Sequence, residues 1–279
     1  MGAKVWKTFV YTIIYLAMII LAVTCMIPLV LTLVNATRTG AEISRSFTFI
    51  PGDALQENWE IVSNYFNLFL GFWNSLKLAV PVTILSGYFS TLTAFALAVY
   101  KFKGRDIIFY VIVVFMMIPG QLSLLGFYNL VFQLKMIDSY VPLIVPSIAA
   151  SGTVFFLRQY FLSILPMSLL EAGRIDGAKE WYMFHRIAIP IVTPAIATMS
   201  IGAFIGSWNS YLMPMLLLNT PKKFPLPVML STLSASKDMA KNQGAKYLAV
   251  SISIIPVVIA FCFFSKYIIS SISAGSVKE

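Results

Sequence analysis

The chain has 279 residues, 59% of them hydrophobic and 11% charged, against about 45–50% and about 25% in ordinary soluble domains. That balance excludes a water-soluble globule, and at about 20 apolar residues per crossing helix the length holds several membrane spans but no large soluble domain besides. The net charge of +9 is spread between apolar runs with no basic stripe of interleaved aromatics, so it reads as loop charge orienting helices in a membrane, not as a nucleic-acid surface.

Six runs are expected to cross as helices: residues 9–31, 73–99, 107–131, 141–161, 190–218 and 247–271. Lipid offers no partner for free backbone groups, and nothing shows the short alternation of a barrel strand, so the fold class is an all-α membrane bundle forming one domain over 1–279. Lys4 and Lys7 precede the first run as in a signal peptide, and Val34-Asn35-Ala36 mimics a cleavage site, but the run is too long and reads as an uncleaved span. An even number of spans puts both termini on one side. The tight basic turn Lys101-Phe102-Lys103-Gly104-Arg105 favours the cytoplasmic side for them. Loop 32–70 carries the turn signal Pro51-Gly52 and the aromatics Trp59, Tyr65 and Phe66, while loop 219–246 carries Pro221, Pro225, Pro227 and five lysines, Lys237 among them. Either could receive an external partner or be a plain solvated connector.

Cys25 and Cys262 sit inside apolar runs, where thiols act as small hydrophobes. His185, expected in a loop, has no neighbour at metal-ligand spacing, so no metal site is expected. Polar and aromatic groups inside spans tend to face the bundle interior. Asn74, Gln121, Asn129, Trp208, Asn209 and Tyr211 are therefore candidates for a translocation pathway, with helix–helix hydrogen bonding or interfacial anchoring as the plain alternative. Pro119, Pro190, Pro194, Pro214 and Pro256 are expected to kink their helices.

The most informative segment is 163–189, between the fourth and fifth spans. Pro166 and Ser168 are start signals for a short helix reaching Gly177, on which Ala172, Ile175 and Lys179 would share a face. A short helix with small residues and charged ends suits a groove on a soluble partner, and equally suits a plain surface. The order Glu171-Ala172-Gly173, Asp176-Gly177-Ala178, Phe184, Ile187, Pro190 and Pro194 closely resembles the signature cytoplasmic loop of permease subunits of binding-protein-dependent ABC importers. Arg158-Gln159-Tyr160-Phe161, Trp208-Asn209 and the ending Ala274-Gly275-Ser276-Val277-Lys278 are similar to the carbohydrate-uptake branch. Two residues depart from the pattern: Gly173 stands where a second Ala is usual, at a cost of about 0.8–1.0 kcal/mol in a helix, and Ser276 replaces an Ala.

The resemblance implies a six-helix, type I importer permease in a bacterial cell membrane. Its partners would be a second permease, an ATPase dimer, an extracellular solute-binding protein and a sugar. Glu171 would face a basic residue of the ATPase, Ala172 and Gly173 would pack in its cleft, Ile175, Asp176 and Ala178 would belong to the same coupling segment, and Gly177 would turn the chain after it. The tail after Ile272 would reach the same partner. No Gly-x-x-x-x-Gly-Lys-Ser/Thr loop and no catalytic constellation occurs, so the chain is expected to be no enzyme and to hold no cofactor, with ATP and Mg on the ATPase. Competing readings are a permease for a glycerol phosphate ester or a polyamine, an ion-coupled secondary transporter, for which only Lys77 is a buried-charge candidate, and a membrane-embedded enzyme.

Overall fold

The computed structural model describes residues 2–236, 239 and 241–276. In order these form α1 (Gly2–Asn35), α2 (Gly40–Arg45), α3 (Leu55–Tyr65), α4 (Leu68–Val99), α5 (Arg105–Met117), α6 (Leu124–Gln133), α7 (Val141–Ile144), α8 (Ser151–Ile164), α9 (Met167–Ile175), α10 (Glu180–Met183), α11 (Ile189–Trp208), α12 (Leu212–Leu217), α13 (Leu226–Ala235) and α14 (Gln243–Ser276). Among the described residues there is no strand. Lys237, Val277 and Lys278 lie outside them.

Five stretches are long and apolar enough to cross a bilayer: Trp6–Asn35, Leu68–Val99, Val141–Ile164, Glu180–Trp208 and Gln243–Ser265. The sixth crossing needs α5 and the segment Gly120–Gln133 taken together, and these are bent by 90°. The expected single span 107–131 is thus broken, at one of the prolines expected to kink it. Pro119 explains it: Ile118, ahead of the ring, is pushed to extended backbone at φ −78° and ψ 119°, and α5 cannot continue. The expected span 190–218 is broken too. α11 stops at Trp208, Asn209 closes it by donating its N–H to the Ile205 and Ser207 carbonyls, and the helix restarts at Leu212. Pro214 therefore kinks nothing, because it lies in the first turn of α12, where a missing N–H leaves no bond unmade. Pro190 follows a π-helical turn, Phe184–Ala188. His185 is on that turn and not in a loop, with its Nδ1 2.9 Å from the Trp181 carbonyl.

The chain divides into two compact units, Met1–Leu68 with Leu230–Ile255, and Phe69–Met229 with Pro256–Glu279. In the first, α1 is apolar along its length. Thr12, Thr24 and Thr32 satisfy their hydroxyls by donating to the carbonyls of Thr8, Ile20 and Pro28 at 2.7–2.9 Å, so these three leave no open donor toward lipid. The expected loop 32–70 is folded. Asn58 donates to the Ala36 and Arg38 carbonyls at 2.9 and 3.0 Å, and Gly52 N–H donates to Thr37 Oγ1 at 2.9 Å. α2 is closed by a capping box between Thr39 and Glu42. Three glycines let backbones approach: a β-carbon on Gly40 would overlap the Lys241 carbonyl, one on Gly244 the Arg38 carbonyl, and one on Gly52 would lie 2.8 Å from the Thr37 carbonyl.

The second unit carries an apolar core built from six helices, α5 among them through Phe109, and the π-helical turn. Phe95 of α4, Leu157 and Phe161 of α8, Leu170 of α9, Met183 of α10, Phe184 of the turn and Val192 of α11 are all buried in one cluster. Arg158 borders it, with its guanidinium 3.8 Å from the centre of the Phe109 ring and its Nε donating to the Leu97 carbonyl at 3.3 Å.

Candidate functional site

α9 begins after Pro166, whose φ of −70° and ψ of 118° put it at the cap position. Ser168 is inside the first turn and caps nothing. The other end is built by Asp176-Gly177-Ala178. Gly177 turns left-handed at φ +79°, its N–H donates to the Arg174 carbonyl at 3.1 Å, and the Ala178 N–H donates to the Gly173 carbonyl at 2.9 Å. This pair of bonds is a Schellman closure, which satisfies two orphan carbonyls and needs a positive φ at the glycine. Because the helix stops at Ile175, Lys179 does not share a face with Ala172 and Ile175. It caps α10 instead.

Gly177→Val should unwind this end. A β-branched residue held in the left-handed region costs about 1–2 kcal/mol or more, so amide exchange at positions 177 and 178 is expected to rise about tenfold in a hydrogen-exchange experiment. Unchanged protection would show that the closure adds nothing.

One side of α9 is sunk and the other is open. Leu170 is fully buried against Leu165, Met183 and Phe184. The Met183 thioether lies 3.2 Å from where a β-carbon on Gly173 would be, so it fills the space of the methyl that the usual Ala would carry. Glu171, Ala172 and Asp176 are exposed, and Ile175 is 87% exposed. Trp181 and Tyr182 are exposed nearby in sequence. Large apolar side chains left open this way suit contact with a partner protein or with the membrane surface.

A polar strut ties α9 to α10 and to the residue after α4. Arg174 donates from Nε to Glu180 Oε1 at 2.8 Å and from Nη2 to Oε2 at 3.3 Å, and Tyr100 Oη donates to Oε2 at 2.6 Å. Burial and the Glu180 carboxylate push the Tyr100 phenol up to about 12, so it remains a donor at neutral pH. Sequence reasoning missed Tyr100 and Glu180 because 80 positions separate them and no local pattern links such a pair.

A second cluster orders the segment before α13. Asp138, itself at φ +62°, accepts from the Asn219 and Thr220 N–H groups at 3.0 Å each, from Thr220 Oγ1 at 2.7 Å and from Lys223 Nζ at 2.7 Å. Lys223, then Thr220 and Asn219, hold its carboxyl well below the usual carboxylate range. A depressed folded value means that the contribution of the clasp is complete above the unfolded value of about 3.9 and is lost only as pH falls through the folded one. Amide protection at 219 and 220, corrected for intrinsic exchange, should therefore be equal at pH 7 and pH 5. Asp138→Asn should weaken it about fivefold at both, since neutral acceptors bind less strongly than charged ones; a loss confined to pH 5 would contradict this account.

The six expected pathway residues do not converge. Asn74 is 2% exposed and spends its amide on the Lys222 and Phe224 carbonyls at 2.8 and 3.1 Å, so it braces the same segment. Trp208 is 1% exposed, between Phe72 and Phe204. Gln121 and Asn129 are exposed beyond the bend at Pro119, and Asn209 and Tyr211 are exposed at the break after α11. None lines the cleft of about 430 Å³ formed by Leu78, Phe127, Pro214 and the serines 123, 207 and 210. The serines were missed because lone hydroxyls in apolar runs are too common to single out.

Helices long enough to cross a membrane several times, with a capped, half-sunk helix exposed between two of them, define a multi-pass membrane permease. Residues 86–274 match the family described as binding-protein-dependent transport system inner membrane component, and the chain belongs to that family. It is 40% identical over 77% of its length to an arabinooligosaccharides transport system permease protein, AraQ, of Bacillus subtilis (strain 168), of which 78% is covered. It is 28% identical over 88% to the sn-glycerol-3-phosphate transport system permease protein UgpE of Brucella abortus (strain 2308), of which 89% is covered. Its fold matches a chain of a bacterial ABC transporter involved in import of the acidic polysaccharide alginate, at a TM-score of 0.79 and 24% identity, covering 93% of this chain and 96% of that one.

Proposed function

We propose that this chain is one permease subunit of an ATP-driven importer that carries a sugar or oligosaccharide into the cell, with α9 seated in a groove of a separate ATPase. The observation that carries the coupling role is α9 itself: anchored by Leu170, closed by Gly177, and open along Glu171, Ala172 and Ile175. A rigid helix held at one side by the core and by the Arg174–Glu180–Tyr100 strut can pass a push from the ATPase into the packed spans, which switch between discrete arrangements and do not deform continuously. With α9 in the cytoplasm and six crossings, both termini are cytoplasmic, and the segment ordered by Asp138 faces outward, where it is available to a solute-binding protein.

Sugar as substrate class rests on the 40% identity to an arabinooligosaccharide permease. The 28% identity to a glycerol-3-phosphate permease keeps that phosphate ester as the second reading. Purifying the tagged chain from its native membrane and identifying its companions by mass spectrometry tests both. A second permease, an ATPase and a binding protein are expected, and the binding protein should bind arabinose-containing oligosaccharides and not glycerol 3-phosphate. Uptake that survives ATP depletion while an ion gradient is held would overturn the reading.

A further inference from the structure

Thr83 and Thr91 of α4 and Thr193 of α11 each donate to the carbonyl four residues back, at 2.6–2.9 Å, so they ask nothing of a neighbour. Ser86 of α4 and Thr153 of α8 differ. They are 3% and 8% exposed, and neither hydroxyl has a hydrogen-bond partner among the described residues. A buried hydroxyl left unpaired costs free energy that a bound molecule could recover. Both line a cleft of about 430 Å³ between α4, α8 and α11, together with Ser151. That cleft shares Val82 and Ala203 with the cleft at Leu78 and Phe127, so the two form one groove. The hydroxyls of Ser151 and of serines 123, 207 and 210 also have no partner among the described residues. Ser147 and Thr198 of the lining are spent on the Ile144 and Pro194 carbonyls.

Three interruptions of helix border this groove. Ser123 ends the tight turn Gly120–Ser123 beyond the 90° bend, Ser147 lies in the turn Val145–Ala149 inside the stretch Val141–Ile164, and Ser210 sits in the break after α11. At membrane depth, non-helical backbone is tolerated only where it is buried in protein or lines a water-filled cavity. Interrupted spans are also where many membrane carriers hold the solute they move. Neither lining includes a Lys, Arg, His, Asp or Glu among the described residues.

We propose that this groove holds two adjoining units of an uncharged oligosaccharide during transport, with Ser86 and Thr153 bonded to hydroxyls of one unit and the Phe127 ring against the carbon face of the next. The site rests on reading this chain as an importer permease, and it adds that this subunit itself touches the sugar and admits neutral ones. Serine and threonine hydroxyls both donate and accept, as sugar hydroxyls do, so each can pair whichever way the ring is turned. A phosphate ester would shed its hydration here with no cation to replace it. An acyl chain would leave the buried hydroxyls unpaired. Size agrees, since clefts of about 300–1,000 Å³ hold small-molecule ligands.

The test uses the purified chain with its companions in liposomes loaded with ATP, with an arabinose trisaccharide and glycerol 3-phosphate as the two probes. Ser86→Ala combined with Thr153→Val removes both buried hydroxyls and should lower trisaccharide uptake by about tenfold at limiting sugar. Its unfolding midpoint should equal or exceed that of the wild type, because neither hydroxyl is paired within the chain. Ser207→Phe fills the other cleft and should lower uptake by a similar factor, while ATP hydrolysis evoked by the loaded binding protein is retained. Unchanged uptake in both variants, or a lowered midpoint that accounts for the whole loss, would overturn the site. Wild-type uptake of glycerol 3-phosphate at the trisaccharide rate would overturn its neutrality. Loss of the second permease from the Ser207→Phe complex would make the groove a subunit interface and not a sugar site. Failure of the wild type to take up either probe with ATP would instead overturn the importer reading on which the site rests.

Discussion

On the proposed coupling role of α9, Glu171→Arg is expected to leave the chain assembled with its partner permease and to lower solute uptake by tenfold or more in vesicles loaded with ATP. Glu171 is exposed and makes no ion pair among the described residues, so the chain itself should lose little. Exposed substitutions usually change stability by less than about 0.5 kcal/mol, and the new like-charge contact with Arg174 one turn on costs about 0.2–0.5 kcal/mol. The damage falls at the interface. If α9 is seated on the ATPase as proposed, with Glu171 facing a basic residue, reversing the charge both removes an attraction and adds a repulsion, and truncating one partner of a buried interfacial charge pair already costs about 2–5 kcal/mol. ATP hydrolysis and uptake should part company, with hydrolysis per solute carried rising sharply. Uptake at the wild-type rate would show that Glu171 does not meet the ATPase, while a fall in thermal stability equal to the fall in uptake would mean that the variant acts through the fold.

Phe184→Ala is expected to be the most destabilising single substitution in the second unit. The ring is 1% exposed and lies 5.2 Å from Phe95, 6.3 Å from Tyr88 and 6.1 Å from Trp181, centre to centre. Removing a fully buried phenyl costs about 3–5 kcal/mol, part for lost contacts and part for the cavity. The cavity would open beside Leu170, the residue that anchors α9, so coupling should fail together with stability. Phe184→Leu keeps most of the volume and should cost clearly less. Thermal unfolding in detergent, followed by tryptophan fluorescence, reads both; equal midpoints for the alanine variant and the wild type would mean that the aromatic cluster is not a stabilising core.

The parts of this protein that were legible in its sequence are those fixed by local backbone demand. Gly177 could be placed at a turn because few residues other than glycine accept a positive φ, and Pro119 could be marked as a break because its ring forbids helix at Ile118. The 90° bend was not legible, since hydropathy counts apolar residues and carries no information on whether successive turns share an axis. For the same reason the break at Asn209–Tyr211 was hidden inside one apolar run. The bracing role of Asn74 was not legible because its partners, Lys222 and Phe224, are about 150 positions away, and a polar group within a span looks the same whether it faces a pathway or braces a loop. Glu180 escaped for a related reason: its worth depends on donors in other segments, Tyr100 among them, which leave no periodic trace.

The contact at Gly40 and Gly244 bears on how far this sequence can drift. At both positions the neighbouring carbonyl already occupies the volume of the absent methyl, so even alanine would force two backbone segments apart, and no compensating change of side chain elsewhere could restore them. The rest of the connection is held by side chains as well, through Thr37, Arg38, Asn58 and the Thr39–Glu42 capping box, so those positions too should resist change. A randomised library spanning 36–58 and 241–247, selected for transport, should therefore return glycine at 40, 52 and 244, few changes at Thr37, Arg38, Thr39, Glu42 and Asn58, and scattered substitutions elsewhere.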